Sequence, residues 1–273
     1  MSFVPALPYS GYSGWLFLKR TAATQQAVLK AQPEAQRDEA YFRANIGKID
    51  TAEQLVADRR LLKVALGAFG LQSDINNKAF IQKILEGGTL KEGSLANRLA
   101  DKQYQKLSAA FGFGDFKTPR NKLSDFADKI LTAYQARSFE VAVGTQSDDL
   151  RLSLNAEREL SDLSSRTKLS NDARWYSVLG SPPLRRVFEK ALGLPSSFAT
   201  LDVDKQLEMM KDKAQAQLGT DSLAELAEPE AMNTLLRRFL IRSEAEAYRT
   251  QFGAGTALNL MQTAVNFARN RQA

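Results

Sequence analysis

The chain has 273 residues, 44% apolar and 25% charged, enough for one large domain or two modest ones with a sizeable core. It contains no Cys and no His, which excludes disulfides, thiolate or imidazole metal sites, thiol nucleophiles and every triad built on histidine. The net charge of +6 is spread over isolated basic pairs (Arg59-Arg60, Arg185-Arg186, Arg237-Arg238) inside amphipathic runs, so a nucleic-acid stripe is disfavoured against solvated helix faces.

Residues 1–18 carry no charge, and the first basic residues, Lys19 and Arg20, come after them, the reverse of a cleavable secretory signal. Pro5, Pro8, Gly11 and Gly14 break the segment, which reads as a flexible arm bearing Phe3, Tyr9, Tyr12, Trp15 and Phe17. Helices are expected over 15–31 and 34–46. Thr51 and Gln54 form a capping box that opens a helix with Leu55, Leu62, Leu66 and Phe69 on one face, stopped at Gly70.

A short helix from Ala79 to Leu85 precedes Gly87-Gly88. Leu95, Leu99, Leu107 and Phe111 belong to the next helical stretch, ended by Gly112; Leu123, Phe126, Ile130 and Tyr134 mark another. The segment "FEVAVG", 139–144, alternates like a strand but has no partner and is assigned to helix. A charged helix over 148–169 turns Leu152, Ala156 and Leu163 inward. After the break at "GSPPL", Leu184, Val187, Phe188, Ala191 and Leu192 keep the helical period up to Gly193. Asp202 caps a helix with Val203, Leu207, Met210 and Ala214; Ser222 and Glu225 make a second capping box. Met232, Leu235, Leu236, Phe239 and Leu240 form a strong apolar face, expected to end at Gly253 in "QFGAG", before a last helix carrying Leu258, Met261, Val265 and Ala268.

The fold class is therefore all-α, with little or no sheet. Phe69-Gly70-Leu71, Phe111-Gly112-Phe113 and Leu192-Gly193-Leu194 each have the order of a left-handed helix stop. A ligand-binding glycine loop fails on spacing, since Lys117 and Leu258 stand where a dinucleotide fingerprint needs its third glycine. Shifting residues 61–84 by 123 positions lays Leu61 on Leu184, Val64 on Val187, Gly70 on Gly193 and Ile84 on Leu207, which suggests two similar lobes from a duplicated helical unit. The expected divisions are an arm and helix over 1–36, a first lobe over 37–145, a connecting helix over 146–172, and a second lobe with the C-terminal helix over 173–273.

Candidate chemistry is thin. Ser165 and Lys168 match S-x-x-K without its companion motifs, and Asp148, Asp149, Glu157, Glu159 and Asp162 sit among arginines on a charged helix, as surface pairs do. "TLDVDKQ" lacks the glycine and closing Glu of a calcium loop. No catalytic residue, metal ligand or cofactor follows. Trp175 is read as core; Trp15, Phe17, Leu258, Met261 and Val265 are the expected partner-binding residues.

The phrases "GWLFLKRT", "EAYFRANIGKIDTAEQLVADRRLLKVALGAFGL", "LANRLADKQYQKL", "RWYSVLGSPPLRRVFEKALGLP" and "LDVDKQLEMM" resemble the bacterial family known as domain of unknown function 1217. Its members are mostly alphaproteobacterial, and their genes tend to lie among flagellar genes. The resemblance implies a helical protein with a flagellar connection and supplies no catalytic residue. The expected function is a non-enzymatic structural or assembly protein of the flagellum, cytoplasmic or flagellum-associated, binding other proteins through its termini. A cytoplasmic regulatory or chaperone-like module of the same system is the alternative. Self-association stays open.

Overall fold

A computed structural model describes residues 3–270, with side chains described for 3–250. It contains fourteen α-helices and no strand among the described residues. The chain divides into two compact units: residues 1–8, 16–154 and 180–182 form unit 1, and residues 9–15, 155–179 and 183–273 form unit 2.

The order begins with α1 (Gly11–Lys30), whose first turn belongs to unit 2 and whose remainder belongs to unit 1. Unit 1 continues through α2 (Pro33–Asn45), α3 (Ala52–Ala57), α4 (Arg59–Phe69), α5 (Lys78–Gly87), α6 (Leu95–Arg98), α7 (Gln103–Phe111) and α8 (Phe126–Gly144) into α9 (Asp148–Ser165). Its centre is α4, where Leu61, Leu62 and every residue from Val64 to Ala68 are buried, leaving Lys63 as the exception. A helix apolar nearly all round must be enclosed, and α8 packs along it with α2, α3 and α7 around it. The expected single helix from Thr51 to Phe69 is two. Thr51 caps α3, accepting from the Gln54 amide at 3.2 Å while Gln54 Oε1 accepts from the Asp50 amide at 2.7 Å. Asp58 then breaks the helix and caps α4, its carboxylate accepting from the Arg60 and Leu61 amides at 2.9 and 3.0 Å. The segment "FEVAVG" lies within α8.

Unit 2 takes the second part of α9, then α10 (Asn171–Leu179), α11 (Pro182–Leu192), α12 (Val203–Leu218), α13 (Leu223–Leu226) and α14 (Pro229–Asn270). Trp175, Phe188, Phe198 and Phe239 are its largest buried side chains. Trp175 stands edge-on to Phe188 at 5.1 Å, and its indole N–H donates to the Asp221 carbonyl at 2.7 Å. The boundary between units falls inside α9, so the segment expected to connect the lobes, residues 146–172, is shared between the two units.

Gly70, Gly112 and Gly193 take φ of 76°, 67° and 62° at the ends of α4, α7 and α11. A Cβ is penalised there. At two of them the next amide folds back onto the helix: Leu71 N–H donates to Leu66 O and Leu194 N–H to Glu189 O, both at 2.9 Å. Each is followed by a 3-10 turn (Gln72–Asn76, Ser196–Thr200) and a further helix. An arginine from a later helix of the same unit lies over each glycine, Arg137 of α8 over Gly70 and Arg242 of α14 over Gly193. Element-for-element matching stops there, since a ten-residue α5 and a four-residue α6 follow the first motif while a 16-residue α12 follows the second. Duplication of whole lobes remains an expectation of the sequence.

Gly253 is not a helix stop: α14 runs through it to Asn270. An interior glycine costs a helix only about 1 kcal/mol, so even the pair Gly253 and Gly255 is tolerated, and "QFGAG" offers Ala254, not a large apolar residue, to fold back.

Candidate functional site

Two places gather polar and apolar side chains in a way the sequence reading anticipated only in part. The first is the start of α1 against α14, within unit 2. Gly11 opens α1 with φ 54°, and the Glu244 carboxylate occupies the space a Cβ would take. Ser10 Oγ donates to Glu244 at 2.9 Å, Tyr12 Oη donates to Asn233 at 3.0 Å, and the Arg237 guanidinium lies 5.7 Å from the Tyr12 ring centre. Neither Pro8 nor Gly11 leaves residues 3–8 as a free arm. Ala6 exchanges two hydrogen bonds with the Gln25 amide (2.8 and 3.1 Å), Gln146 donates to the Pro5 carbonyl at 2.6 Å, and Phe3 lies 6.4 Å from Phe139.

Trp15, expected at a partner surface, is 3% exposed and belongs to the core. Its period-matched place on α1, one turn after Gly11, turns it inward. Phe17 is half-buried with Arg20 over its ring at 5.6 Å, while Leu16 between them is exposed. Leu258, Met261 and Val265 fall on α14 but outside the residues whose side chains are described.

The second place is a groove of about 740 Å³ in unit 1, lined by the second half of α1, the corner at Gln32-Pro33, α2, α8 and Lys63 of α4. Pro33 starts α2 because its missing N–H is one the first turn leaves unused anyway. Asp38 and Phe42, one turn apart on α2, are both buried. Lys63, the polar exception in the buried run of α4 from Leu61 to Ala68, reaches both acids of this wall: Nζ lies 2.8 Å from Asp38 and 2.7 Å from Glu34. Burial opposes the Lys63 charge, but the hydrogen bonds to Asp38 and Glu34 outweigh it and hold the ammonium well above its ordinary range. The same hydrogen bond and charge keep Glu34 below the usual carboxylate range. Burial raises Tyr134, which lines the opposite wall.

This arrangement converges a lysine with two carboxylates, yet it holds Lys63 protonated and Glu34 ionised. A general acid or base works best with a pKa near the operating pH, and the shifts at Lys63 and Glu34 move both away from neutrality. No group of three or more Asp or Glu suited to a metal ion occurs among the described residues. The groove offers charge, hydrogen bonds and apolar surface. Sequence reading missed it because Glu34, Asp38 and Lys63 are 4 and 25 residues apart in turn; the available signal was a lone lysine within the apolar run from Leu61 to Phe69.

A family model described as "Protein of unknown function (DUF1217)" matches residues 68–232. The chain belongs to this family. DUF1217 thus takes in both compact units in part, from the end of α4 to the start of α14. The crystal structure of protein AGR_C_984 from Agrobacterium tumefaciens is similar, with a TM-score of 0.71 and 24% identity over 89% of this chain and 99% of that one. That likeness shows a shared fold between this DUF1217 chain and the Agrobacterium protein. No curated protein matches the chain.

Proposed function

We propose that this DUF1217 protein is a non-enzymatic structural or assembly component linked to the bacterial flagellum, binding partner proteins through its terminal helices. The observation that carries the reading is the seating of Ser10 and Tyr12 on Glu244 and Asn233 of α14, which joins the two ends of this sequence on one helix. Flagellar axial proteins commonly pair their terminal helices and lack Cys, and this chain has no Cys. The flexible N-terminal arm that such proteins also carry is not a support, since residues 3–8 are tied to α1 and α8. The paired charges of Lys63, Glu34 and Asp38 favour a binding role over proton-transfer chemistry.

The test is fractionation of a flagellated host expressing the tagged protein, with motility scored in parallel. The protein is expected in the hook-basal body fraction and is expected to leave it when Leu258, Met261 and Val265 are changed to Asp. Recovery in the cytosol with a motility defect on deletion would favour the regulatory or chaperone-like module. Cytosolic recovery with motility unchanged removes the flagellar reading.

A further inference from the structure

We propose that the groove of unit 1 binds a single-chain anionic amphiphile, its apolar chain on the alanine floor and its carboxylate between Lys30 and Arg37. Its volume, about 740 Å³, falls within the usual size of small-ligand sites, about 300–1,000 Å³. The space exists because three helices present alanines to it: Ala27 from α1, Ala35 from α2 and Ala136 from α8, with Phe3 and Leu29 completing an apolar wall. A chain of methylenes removed from water there gains about 0.8 kcal/mol for each, or about fourfold in affinity.

Charge selects the head group. The groove's two acids, Glu34 and Asp38, already share the Lys63 ammonium at 2.7 and 2.8 Å. A cationic ligand would have to displace Lys63 from both. Lys30 and Arg37 also line the groove and are exposed; the Arg37 charge adds to the lowering of Glu34, three residues before it, without an ion-pair contact. Three cations against two acids leave the lining with one positive charge, and Lys30 and Arg37, both exposed, stand where a head group meets water. The site is separate from the terminal pairing in unit 2, so it stands or falls without the assembly reading.

The experiment is titration of the full chain with dodecanoate below its micelle concentration, followed by calorimetry and by chemical-shift mapping on isotope-labelled protein. Saturable binding with shifts centred on Ala27, Ala35 and Ala136 is expected. Decanoate should bind about fifteenfold more weakly, from two methylenes at about 0.8 kcal/mol each. The exposed double variant Lys30→Glu/Arg37→Glu should weaken dodecanoate about tenfold with helicity unchanged. Ala27→Phe, which fills the groove from its exposed side, should abolish binding. Dodecylamine binding as tightly as dodecanoate, shifts outside the groove, or an unaffected double variant would overturn the proposal. Co-sedimentation with phosphatidylglycerol vesicles but not binding of free dodecanoate would overturn it too, by assigning the cations to a bilayer surface.

Discussion

Lys63 bridges α2 and α4 through two carboxylates, and one of them, Asp38, is buried. Lys63→Met would leave that carboxylate without its partner. The loss expected at pH 7 is about 1–2 kcal/mol, below the ~3–5 of a fully buried pair because the Lys63 side chain is 43% exposed and partly screened. The pH dependence follows from the directions of the shifts. Lys63 is raised, so its contribution is complete below its ordinary 10.5 and fades as pH climbs through the higher folded value. Glu34 is lowered, so its contribution is complete above its ordinary 4.5 and fades as pH falls through the lower folded value. Urea denaturation should therefore show a wide gap between wild type and Lys63→Met at pH 7 and a narrower one at pH 3. An equal gap at both would mean that Lys63 acts through packing alone. The glycines give a second contrast. Gly193→Ala forces a Cβ at φ 62° and should lose about 1–2 kcal/mol. Gly253→Ala, inside α14, should be neutral or gain up to about 1 kcal/mol. Thermal melts followed by circular dichroism separate the two; a loss at Gly253 as large as at Gly193 would restore a helix end there.

Asp58 decides where α3 stops and α4 starts. Its carboxylate caps α4 and also accepts from Tyr41 Oη at 2.7 Å, while the Arg60 guanidinium lies 3.9 Å from the Tyr41 ring centre. The hydrogen bond to Asp58 raises Tyr41. Asp58→Ala should cost about 1–2 kcal/mol by chemical denaturation, as the loss of a cap does. Tyr41→Phe, which keeps the cap, should cost less; the reverse order would make the tyrosine contact the dominant one. This element also shows what a sequence can and cannot reveal. The apolar period through Leu55, Leu62, Leu66 and Phe69 survives a break at Asp58, so periodicity alone joined two helices. The caps at Thr51, Asp202 and Ser222 were legible because each needs only a side chain and a nearby amide. The stops at Gly70 and Gly193 were legible because Leu71 and Leu194 follow them; Gly253 misled because its neighbour is Ala254. The docking of Phe3, Pro5 and Ala6 was not legible, since the partners Phe139 on α8, Gln146 in the turn after it and Gln25 on α1 are 19 to 141 residues away in sequence. The groove was hidden for the same reason.

Neither compact unit is a continuous stretch of chain. Unit 2 claims residues 9–15, the first turn of α1 with the two residues before it, and unit 1 claims residues 180–182, of which Pro182 opens α11. The family match over 68–232 does not follow these divisions. Expressed alone, residues 68–232 would lack α1, α2 and α3, nearly all of α4, and α14 beyond its first turn. Unit 1 would lose Leu55, Leu61, Leu62 and Leu66 from the centre of its core, and unit 2 would lose Leu235, Leu236, Phe239 and Leu240. Removing whole faces leaves the apolar sides of α8 and α12 uncovered, and isolated helices of this length are marginal in water. The 68–232 fragment should therefore melt without a cooperative transition and bind hydrophobic dyes, whereas the full chain should melt cooperatively. A finer cut tests the division at α9. The fragment 155–273 keeps most of the unit 2 core but lacks Ser10, Tyr12 and Trp15, which seat against α14 or are buried. It should be less stable than the same fragment with residues 9–15 rejoined by a flexible linker, measured by the urea midpoint. Equal midpoints would remove the first turn of α1 from unit 2, and with it the terminal pairing on which the assembly reading rests.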